Sequence, residues 1–357
     1  MALITSWEGT LHQNGPLIGH LHYNERGKDM SYNILQYADL PADLEEKLEH
    51  HCRITRVKSL DPNQGDDFRS ILAKTEGLIG VGQEVGAEFL RHTPRLQVAS
   101  TISVGYDHFE VAELTRQGVM LMHTPEVLTE TTADMIFTLI LCAGRRAAEL
   151  HMMVKQGDWQ AAVGPEHFGT DVYGKTLGII GLGRIGEAVA RRAHHGFNMN
   201  ILYHNRSVNK AAEAKFEARF CNLDELLGQS DFVCLVLPLS DQTHKLIGPD
   251  ELRKMKADAF LINGGRGPVI DEQALIEALE NGTIRGAGLD VYEQEPLPTD
   301  SPLRRLANVV TLPHIGSATH ETRYAMAALA VDNLLAALQQ RATRNCVNPE
   351  VLNRDDQ

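Results

Sequence analysis

Apolar residues are arranged along most of the chain in two alternating patterns. Short runs with few polar side chains, such as LGII at 177–180, are bounded by turn residues and are typical of strands buried in a parallel sheet. Between these runs, apolar residues recur three or four positions apart, as at Leu44 and Leu48, which predicts amphipathic helices. A chain in which strands and helices alternate in this way is predicted to have an α/β fold.

The predicted strands form two groups, which indicates two domains. A helix predicted over about 129–148 separates the groups, and a last helix over about 321–339 is expected to return to the first domain and complete it. The strands are predicted at 32–37, 53–57, 77–81, 96–100 and 119–122 in the first group, and at 177–180, 200–203, 232–237, 259–262, 284–289 and 309–311 in the second.

A glycine-rich motif, GLGRIG at 181–186, follows one predicted strand and opens a helical pattern. In this context the first glycine allows a tight turn, the second lets a pyrophosphate approach the backbone, and the third lets helix and strand pack closely. Free N–H groups at the start of the helix then bind the anion. The motif predicts a dinucleotide site, with a structural glycine turn in another strand-to-helix unit as the alternative.

The residues after the next predicted strand distinguish the two nicotinamide cofactors. An enzyme specific for NAD has an acidic residue there, about twenty residues after the glycines, to bind the ribose 2′-hydroxyl. This chain has HNRS at 204–207, in which Arg206 can pair with a 2′-phosphate while Asn205 and Ser207 donate hydrogen bonds. The sequence predicts NADP, with NADPH preferred over NADH. In the alternative, Arg206 is a solvated surface residue and the site accepts either nucleotide.

Three charged residues follow predicted strands of the second group: Arg266, Glu295 and His314. Ligands of open α/β sheets bind beyond the carboxyl ends of the strands, so we expect these side chains in one cleft. Hydride transfer to a ketone leaves negative charge on the carbonyl oxygen, which requires a proton donor and, for an acidic substrate, a cation. His314 and Arg266 have these properties, and a carboxylate at Glu295 favours the protonated imidazole. Each residue alone has an ordinary structural explanation, but together they predict a reductase site.

Composition excludes several other functions. A net charge of −13 gives no support to a nucleic-acid partner or to an anionic membrane surface. The longest apolar stretch, at 135–142, is far shorter than the roughly twenty residues of a membrane span. The five cysteines form no CxxC pair, which predicts reduced thiols, a cytoplasmic protein and no metal site. Residues 1–29 lack periodicity and are predicted to be a disordered extension, with Met30 as the functional first residue.

From Met30 onward the chain resembles the D-isomer-specific 2-hydroxyacid dehydrogenases, in the branch that reduces glyoxylate and hydroxypyruvate. The resemblance implies a doubly wound Rossmann cofactor domain at 129–316, inserted in a smaller flavodoxin-like substrate domain made of 30–128 and of the C-terminal helix and tail at 317–357. The matching segments are TISVGYD at 101–107, LTETTAD at 128–134, GLGRIG at 181–186, NGGRGP at 263–268, GLDVYEQEP at 288–296 and PHIGSATHET at 313–322.

The resemblance also implies an activity: reduction of small 2-keto acids, among them glyoxylate, hydroxypyruvate and 2-ketogluconate, to (R)-2-hydroxy acids by a homodimer formed through the cofactor domains. In it, His314 is the proton donor, Glu295 is its carboxylate partner, and Asp290 contacts the nicotinamide amide. The substrate-binding residues are expected to be Ser103, Val104, Gly105 and Arg266. The cofactor-binding residues are expected to be Thr132, Gly181, Gly183, Arg184, Ile185, Gly186, Asn205, Arg206, Ser207, Leu237, Pro238, Thr243, Gly265, Asp290 and Gly316.

Two other functions remain as alternatives at this point. A dehydrogenase of the same family acting on a phosphorylated or bulkier acid would need further cations near residues 81–83 and Tyr106, where the sequence has no basic cluster. A dinucleotide-sensing corepressor would bind the cofactor without appreciable turnover. Formate dehydrogenase is disfavoured, because that branch pairs its histidine with glutamine where this chain has Glu295.

Overall fold

The structure is a computed structural model and describes residues 32–341 and 344–356, with side chains up to residue 352. The extension predicted at 1–29 lies outside these residues. The described chain forms two compact units. Unit one comprises the residues up to Val127 and those from Thr319 onward, and unit two comprises Leu128–Ala318.

Unit one is a parallel sheet with helices on its faces. The strands pair in the order β2-β1-β3-β4-β5, which is the flavodoxin-like order and confirms that part of the predicted fold class. Its elements before residue 128 are strands β1 (Tyr32–Gln36), β2 (Cys52–Arg56), β3 (Gly77–Gly80), β4 (Val98–Thr101) and β5 (Met120–Met122), and helices α1 (Ala42–Glu49), α2 (Asp66–Leu72), α3 (Ala87–Leu90) and α4 (Val111–Gln117).

Unit two is a larger doubly wound parallel sheet. The order β12-β11-β10-β9-β6-β7-β8 reverses direction after β6, as in a Rossmann fold, and confirms the predicted class. Its elements are helices α5 (Thr129–Arg145), α6 (Ala147–Gln156), α7 (Arg184–Arg191), α8 (Lys210–Phe216), α9 (Leu223–Gln229), α10 (Pro249–Lys254) and α11 (Glu272–Glu280), and strands β6 (Thr176–Ile180), β7 (Asn200–His204), β8 (Arg219–Phe220), β9 (Phe232–Leu235), β10 (Phe260–Asn263), β11 (Gly286–Leu289) and β12 (Val309–Thr311).

The C-terminal part of the chain belongs to unit one. Helix α12 (His320–Leu338) packs on β3 and β4, and the Ser100 hydroxyl donates to the Ala330 carbonyl at 2.8 Å. Beyond it, the Val347 amide donates to the Leu121 carbonyl at 2.8 Å, so the tail runs beside β5. The C-terminal tail of the chain therefore lies beside β5, the last strand of unit one before residues 123–127.

The prediction of one long helix over 129–148 is wrong in one respect, because the chain forms two helices there. Arg146 adopts a left-handed conformation with φ 53° between α5 and α6. In a continuous helix the Gly144 carbonyl would accept from residue 148, but here it accepts from the Thr170 amide at 2.7 Å. A partner twenty-six residues away in sequence therefore ends a helix whose local sequence favours continuation.

The apolar segment at 135–142 lies within α5, and Ile136, Leu139 and Ile140 are fully buried in the core of unit two. Among the described helices, none is long and apolar enough to cross a lipid bilayer. The short edge strand β8 was not predicted, because two residues are too few for a period-two pattern to be recognised.

Candidate active site

The glycine turn of unit two connects β6 to α7 and leaves room where its second glycine lies. Gly181 has φ 101°, and a Cβ there would lie 2.5 Å from the Val236 carbonyl oxygen. A Cβ at Gly186 would lie 2.5 Å from the Gly181 carbonyl oxygen. At Gly183, in contrast, a Cβ would meet no described heavy atom within 4 Å beyond its chain neighbours. The first and third glycines are thus required by the fold, whereas no contact that the structure describes requires a glycine at the second position.

Asn205 holds this turn in place, a role that the sequence analysis missed. Its Oδ1 accepts from the Leu182 amide at 2.7 Å and its Nδ2 donates to the Leu182 carbonyl at 3.2 Å. The parallel pairing of β6 with β7, which places Ile180 opposite His204, is the signal that could have revealed it. The side chain of Asn205 therefore supports the turn directly, and its contact with a 2′-phosphate stays a prediction.

The chain has an arginine rather than a carboxylate after β7. Arg206 and Ser207 are exposed, as is Arg184 at the start of α7. Neither arginine forms an ion pair with any residue that the structure describes. His204 turns its Nδ1 to the Cys221 carbonyl at 3.0 Å, so that its ring is engaged at the sheet edge.

Several of the other predicted cofactor residues lie close together in unit two. The hydroxyl of Thr243 donates to the Pro238 carbonyl at 2.8 Å, which folds the loop after β9. A Cβ at Gly265 would lie 2.8 Å from the Leu237 carbonyl oxygen, and a Cβ at Gly316 would lie 3.4 Å from both Thr132 Cγ2 and Asp290 Oδ2. The structure thus groups Leu237, Pro238 and Thr243 with Gly265, and Thr132 and Asp290 with Gly316.

His314 and Glu295 form a direct pair after β12 and β11. The distance from His314 Nδ1 to Glu295 Oε2 is 2.7 Å, and the histidine backbone has the left-handed φ of 54°. Burial raises the pKa of Glu295, but the hydrogen bond and positive charge of His314 outweigh it and hold the pKa of this carboxyl below its usual value. Because the ionised carboxylate only accepts, Nδ1 carries the proton and Nε2 is the ring atom left for chemistry.

Asp290 holds the backbone that follows His314. Its two carboxylate oxygens accept from the amides of Ile315 and Gly316 at 2.8 and 2.9 Å, and the residue is only 1% exposed. Burial raises the pKa of Asp290, against the lowering effect of those amides and of the nearby histidine. A left-handed backbone at a non-glycine residue is unfavourable, so the two amide bonds help to hold His314 in that conformation.

Tyr292 connects the two loops, which was also not anticipated. Its amide donates to Glu295 Oε1 at 3.1 Å, while its hydroxyl donates to the Leu312 carbonyl at 2.8 Å. Burial raises the pKa of this phenol, so it remains a neutral donor. One residue thus contacts both the carboxylate partner and the strand end that precedes His314.

Arg266 lies on the neighbouring loop after β10. Asn263 shapes this loop, since its Nδ2 donates to the Arg266 carbonyl at 2.9 Å and its Oδ1 accepts from the Gly265 amide at 3.1 Å. A Cβ at Gly267 would lie 1.8 Å from the Tyr292 carbonyl oxygen, so the Arg266 loop packs directly against the loop of Glu295. The three residues predicted to act together therefore lie on adjoining loops of one unit.

Ser103, Val104 and Gly105 lie in unit one, in the loop after β4. The Ser103 hydroxyl donates to the Gly105 carbonyl at 2.5 Å and lies 2.8 Å from the Thr101 hydroxyl. The loop is half-buried, and this hydroxyl bridges its two ends.

Among the residues that the structure describes, no group of three or more His, Cys, Asp or Glu side chains is placed to hold a metal ion.

The glycine geometry leads to a prediction that separates folding from binding. We expect Gly183→Ala to leave the free energy of unfolding within about 1 kcal/mol of the wild type, because its Cβ has space, and to weaken dinucleotide binding at least about tenfold. The matched variant Gly186→Ala should destabilise unit two, since its Cβ meets a backbone oxygen. Urea denaturation and cofactor titration measure the two effects. Equal losses of stability in both variants would contradict this account.

The comparisons with known proteins agree on one family. The model of the NAD binding domain of the D-isomer specific 2-hydroxyacid dehydrogenases matches residues 137–316. Glyoxylate/hydroxypyruvate reductase B of Shigella dysenteriae serotype 1 is 56% identical over 322 residues, which cover 90% of this chain and 99% of that protein. The enzyme of the same name from Serratia proteamaculans is 55% identical over 325 residues, covering 91% and 100%.

Solved structures agree with the sequence relatives. The NADPH-dependent glyoxylate/hydroxypyruvate reductase of Sinorhizobium meliloti, in complex with NADP and malonate, is 32% identical with a TM-score of 0.79, covering 88% of this chain and 96% of that chain. The TT0316 protein of Thermus thermophilus is 38% identical with a TM-score of 0.80, covering 88% and 99%. The resemblance found in the motifs is confirmed, and this chain belongs to the D-isomer-specific 2-hydroxyacid dehydrogenase family of oxidoreductases.

Proposed function

We propose that this protein reduces small 2-keto acids, hydroxypyruvate and glyoxylate foremost and 2-ketogluconate as a further substrate, to (R)-2-hydroxy acids with NADPH. The observation on which this rests is the pair formed by His314 and Glu295, 2.7 Å apart at the carboxyl edge of a nucleotide-binding sheet. Two enzymes named glyoxylate/hydroxypyruvate reductase B are 55–56% identical to the chain, which supports the first two of these substrates. The Sinorhizobium meliloti reductase structure contains malonate, a small carboxylate, together with NADP.

The chemistry follows from the direction of the hydrogen bond at His314. With Nδ1–H donated to the Glu295 carboxylate, the protonated ring presents Nε2–H and gives that proton to the carbonyl oxygen of the substrate as negative charge develops there. The carboxylate stabilises the imidazolium before transfer and fixes the ring orientation. The guanidinium of Arg266 binds the substrate carboxylate and carbonyl in the forked geometry that favours arginine over lysine.

The residues of unit two fit a phosphorylated dinucleotide. The open space at Gly183 and the start of α7 suit a pyrophosphate, and the exposure of Arg206 and Ser207 at the end of β7 supports a 2′-phosphate site there. When bound, NADPH supplies the hydride that reduces the carbonyl carbon. Thr132, Asp290 and Gly316, which lie together, are assigned to the nicotinamide end. The cysteine pattern supports a reducing compartment, the cytoplasm, as the place of this reaction.

His314 provides the direct test of the reaction. We expect His314→Ala to lower kcat at least about a hundredfold and to leave NADPH binding nearly intact, because the side chain donates a proton and holds no part of the nucleotide. The assay is loss of nicotinamide absorbance with hydroxypyruvate or glyoxylate. In the same assay, Glu295→Gln should lower kcat at least about tenfold, since a neutral partner neither stabilises the imidazolium nor fixes the ring as well as the carboxylate does. Unchanged turnover in His314→Ala would remove this residue from the mechanism.

Arg206 provides the test of cofactor choice. We expect Arg206→Ala to weaken NADPH binding about tenfold to a hundredfold while NADH binding changes little, because only NADPH has the 2′-phosphate. Arg184→Ala is the matched control, since a cation at the pyrophosphate end should affect both nucleotides alike. Fluorescence titration with each nucleotide measures both variants. Equal or tighter wild-type binding of NADH would refute the proposed preference.

The proposed homodimer has support from an exposed apolar segment in unit two. Trp159 is 58% exposed and Phe168 57%, and four other large apolar side chains between residues 152 and 173 are also exposed. Apolar exposure concentrated in this way is typical of an interaction surface. We expect the wild type to be a dimer by light scattering and Trp159→Ser with Phe168→Ser to dissociate it. Leu352→Ser, at an exposed apolar residue of unit one, should remain dimeric; an unaffected double variant would show that this segment is not the interface.

A further inference from the structure

Two consecutive peptide units in the loop after β4 have the same arrangement. One joins Ser103 to Val104, and the other joins Val104 to Gly105. The carbonyl oxygen of each unit accepts a hydrogen bond from within unit one, whereas no residue that the structure describes accepts from the N–H of Val104 or Gly105. Val104 and Gly105 are among the residues that the family resemblance assigns to substrate binding, and these two N–H groups are the donors that they can offer to a substrate carboxylate. What fixes the two carbonyls therefore also fixes the direction of the two amides.

The two carbonyl oxygens are held by consecutive residues that follow β5. The amide of Thr124 donates to the Ser103 carbonyl at 2.9 Å, and Nδ1 of His123 lies 3.0 Å from the Val104 carbonyl oxygen. A carbonyl oxygen can only accept, so Nδ1 of His123 carries the proton and donates. In a planar trans peptide the C=O and N–H point in opposite directions. A bond that draws the Val104 oxygen toward His123 accordingly directs the Gly105 N–H away from it.

His123 is itself held by the C-terminal part of unit one. Its amide donates to the Asn345 carbonyl at 3.1 Å, and its carbonyl accepts from Asn333 Nδ2 of helix α12 at 2.9 Å. Asn345 Nδ2 donates in turn to Asn333 Oδ1 at 3.0 Å, which closes a ring of hydrogen bonds. The rings of His123 and Tyr106 also form a T-shaped pair, with centroids 5.8 Å apart and the planes at 77°. The imidazole is thus fixed at its backbone and at its ring.

We propose that His123 is a positioning residue for the substrate carboxylate. With Thr124 it forms a clamp that aligns the N–H groups of Val104 and Gly105 as a preformed pair of donors. This inference rests on the proposed function, because it assigns the ligand of those amides as the carboxylate of a 2-keto acid. Preorganised donors bind an anion without first reordering the backbone, so loss of the clamp weakens carboxylate binding and leaves proton donation at His314 unchanged.

The test replaces the donor and then restores it. His123→Leu removes the Nδ1 donor but keeps a side chain of similar bulk, whereas His123→Asn places an amide Nδ2 donor close to the position of Nδ1. We expect His123→Leu to raise KM for hydroxypyruvate and glyoxylate about tenfold, while kcat changes less than about threefold and NADPH affinity is retained. His123→Asn should recover KM to within about threefold of the wild type. His92→Leu, at a half-buried histidine elsewhere in unit one, controls for loss of an imidazole.

A binding readout keeps this test separate from turnover. Oxalate, an unreactive dicarboxylate, is titrated calorimetrically into the complex of each variant with NADPH, and its Kd should follow the KM values. If the wild type binds oxalate and His123→Leu has the same Kd and KM as the wild type, the clamp is refuted while the proposed function stands. The clamp is likewise refuted if His123→Asn shows the same loss as His123→Leu. A parallel fall of kcat and NADPH affinity in His123→Leu would show general damage and also overturn it. A wild type that neither binds oxalate nor reduces any 2-keto acid would refute the proposed function itself.

Discussion

The hydrogen bond between His314 Nδ1 and Glu295 Oε2 joins two loops whose paired residues are nineteen positions apart, and the rest of the site in unit two is arranged around it. Asp290 holds the amides after His314, and Tyr292 contacts both the carboxylate and the strand end that precedes the histidine. These bonds maintain a left-handed backbone at a residue that does not favour it. Without the hydrogen bond to Glu295, neither the tautomer nor the orientation of the His314 ring would be fixed.

In both units, hydrogen bonds from neighbouring residues hold the proposed functional groups in position. In unit two, side-chain carboxylates and a phenol fix the position of an acid, and in unit one a histidine and a backbone amide fix two peptide planes. In both, the residues proposed to bind or protonate the substrate are held by neighbours to which no such role is assigned. Holding the reacting groups before substrate arrives reduces the reorganisation required in the transition state.

Much of this arrangement was predictable from the sequence, because the strong signals are local. Buried runs such as 177–180 gave strand positions within a few residues, and GLGRIG located the nucleotide turn. The sequence also placed Arg266, Glu295 and His314 after strands, and the structure shows them on adjoining loops with the histidine and the glutamate in direct contact. Parallel sheets bring strand ends to one edge whatever the intervening loops contain, which is why this inference did not need their conformation.

What the sequence could not reveal depends on partners distant along the chain. The helix break at Arg146 follows from the Thr170 amide taking the Gly144 carbonyl, and the role of Asn205 follows from its position beside Leu182. The function of His123 requires the register between β5, the loop after β4 and the C-terminal tail. No local periodicity records such pairings.

The most direct test of the central claim is the product formed from hydroxypyruvate and NADPH deuterated at the transferable position of the nicotinamide, analysed by chiral chromatography with mass spectrometry. The account predicts (R)-glycerate with one deuterium on the carbon of the former carbonyl, formed rapidly by the wild type. Formation of (S)-glycerate, absence of deuterium from that carbon, or no product with either nicotinamide cofactor would contradict it.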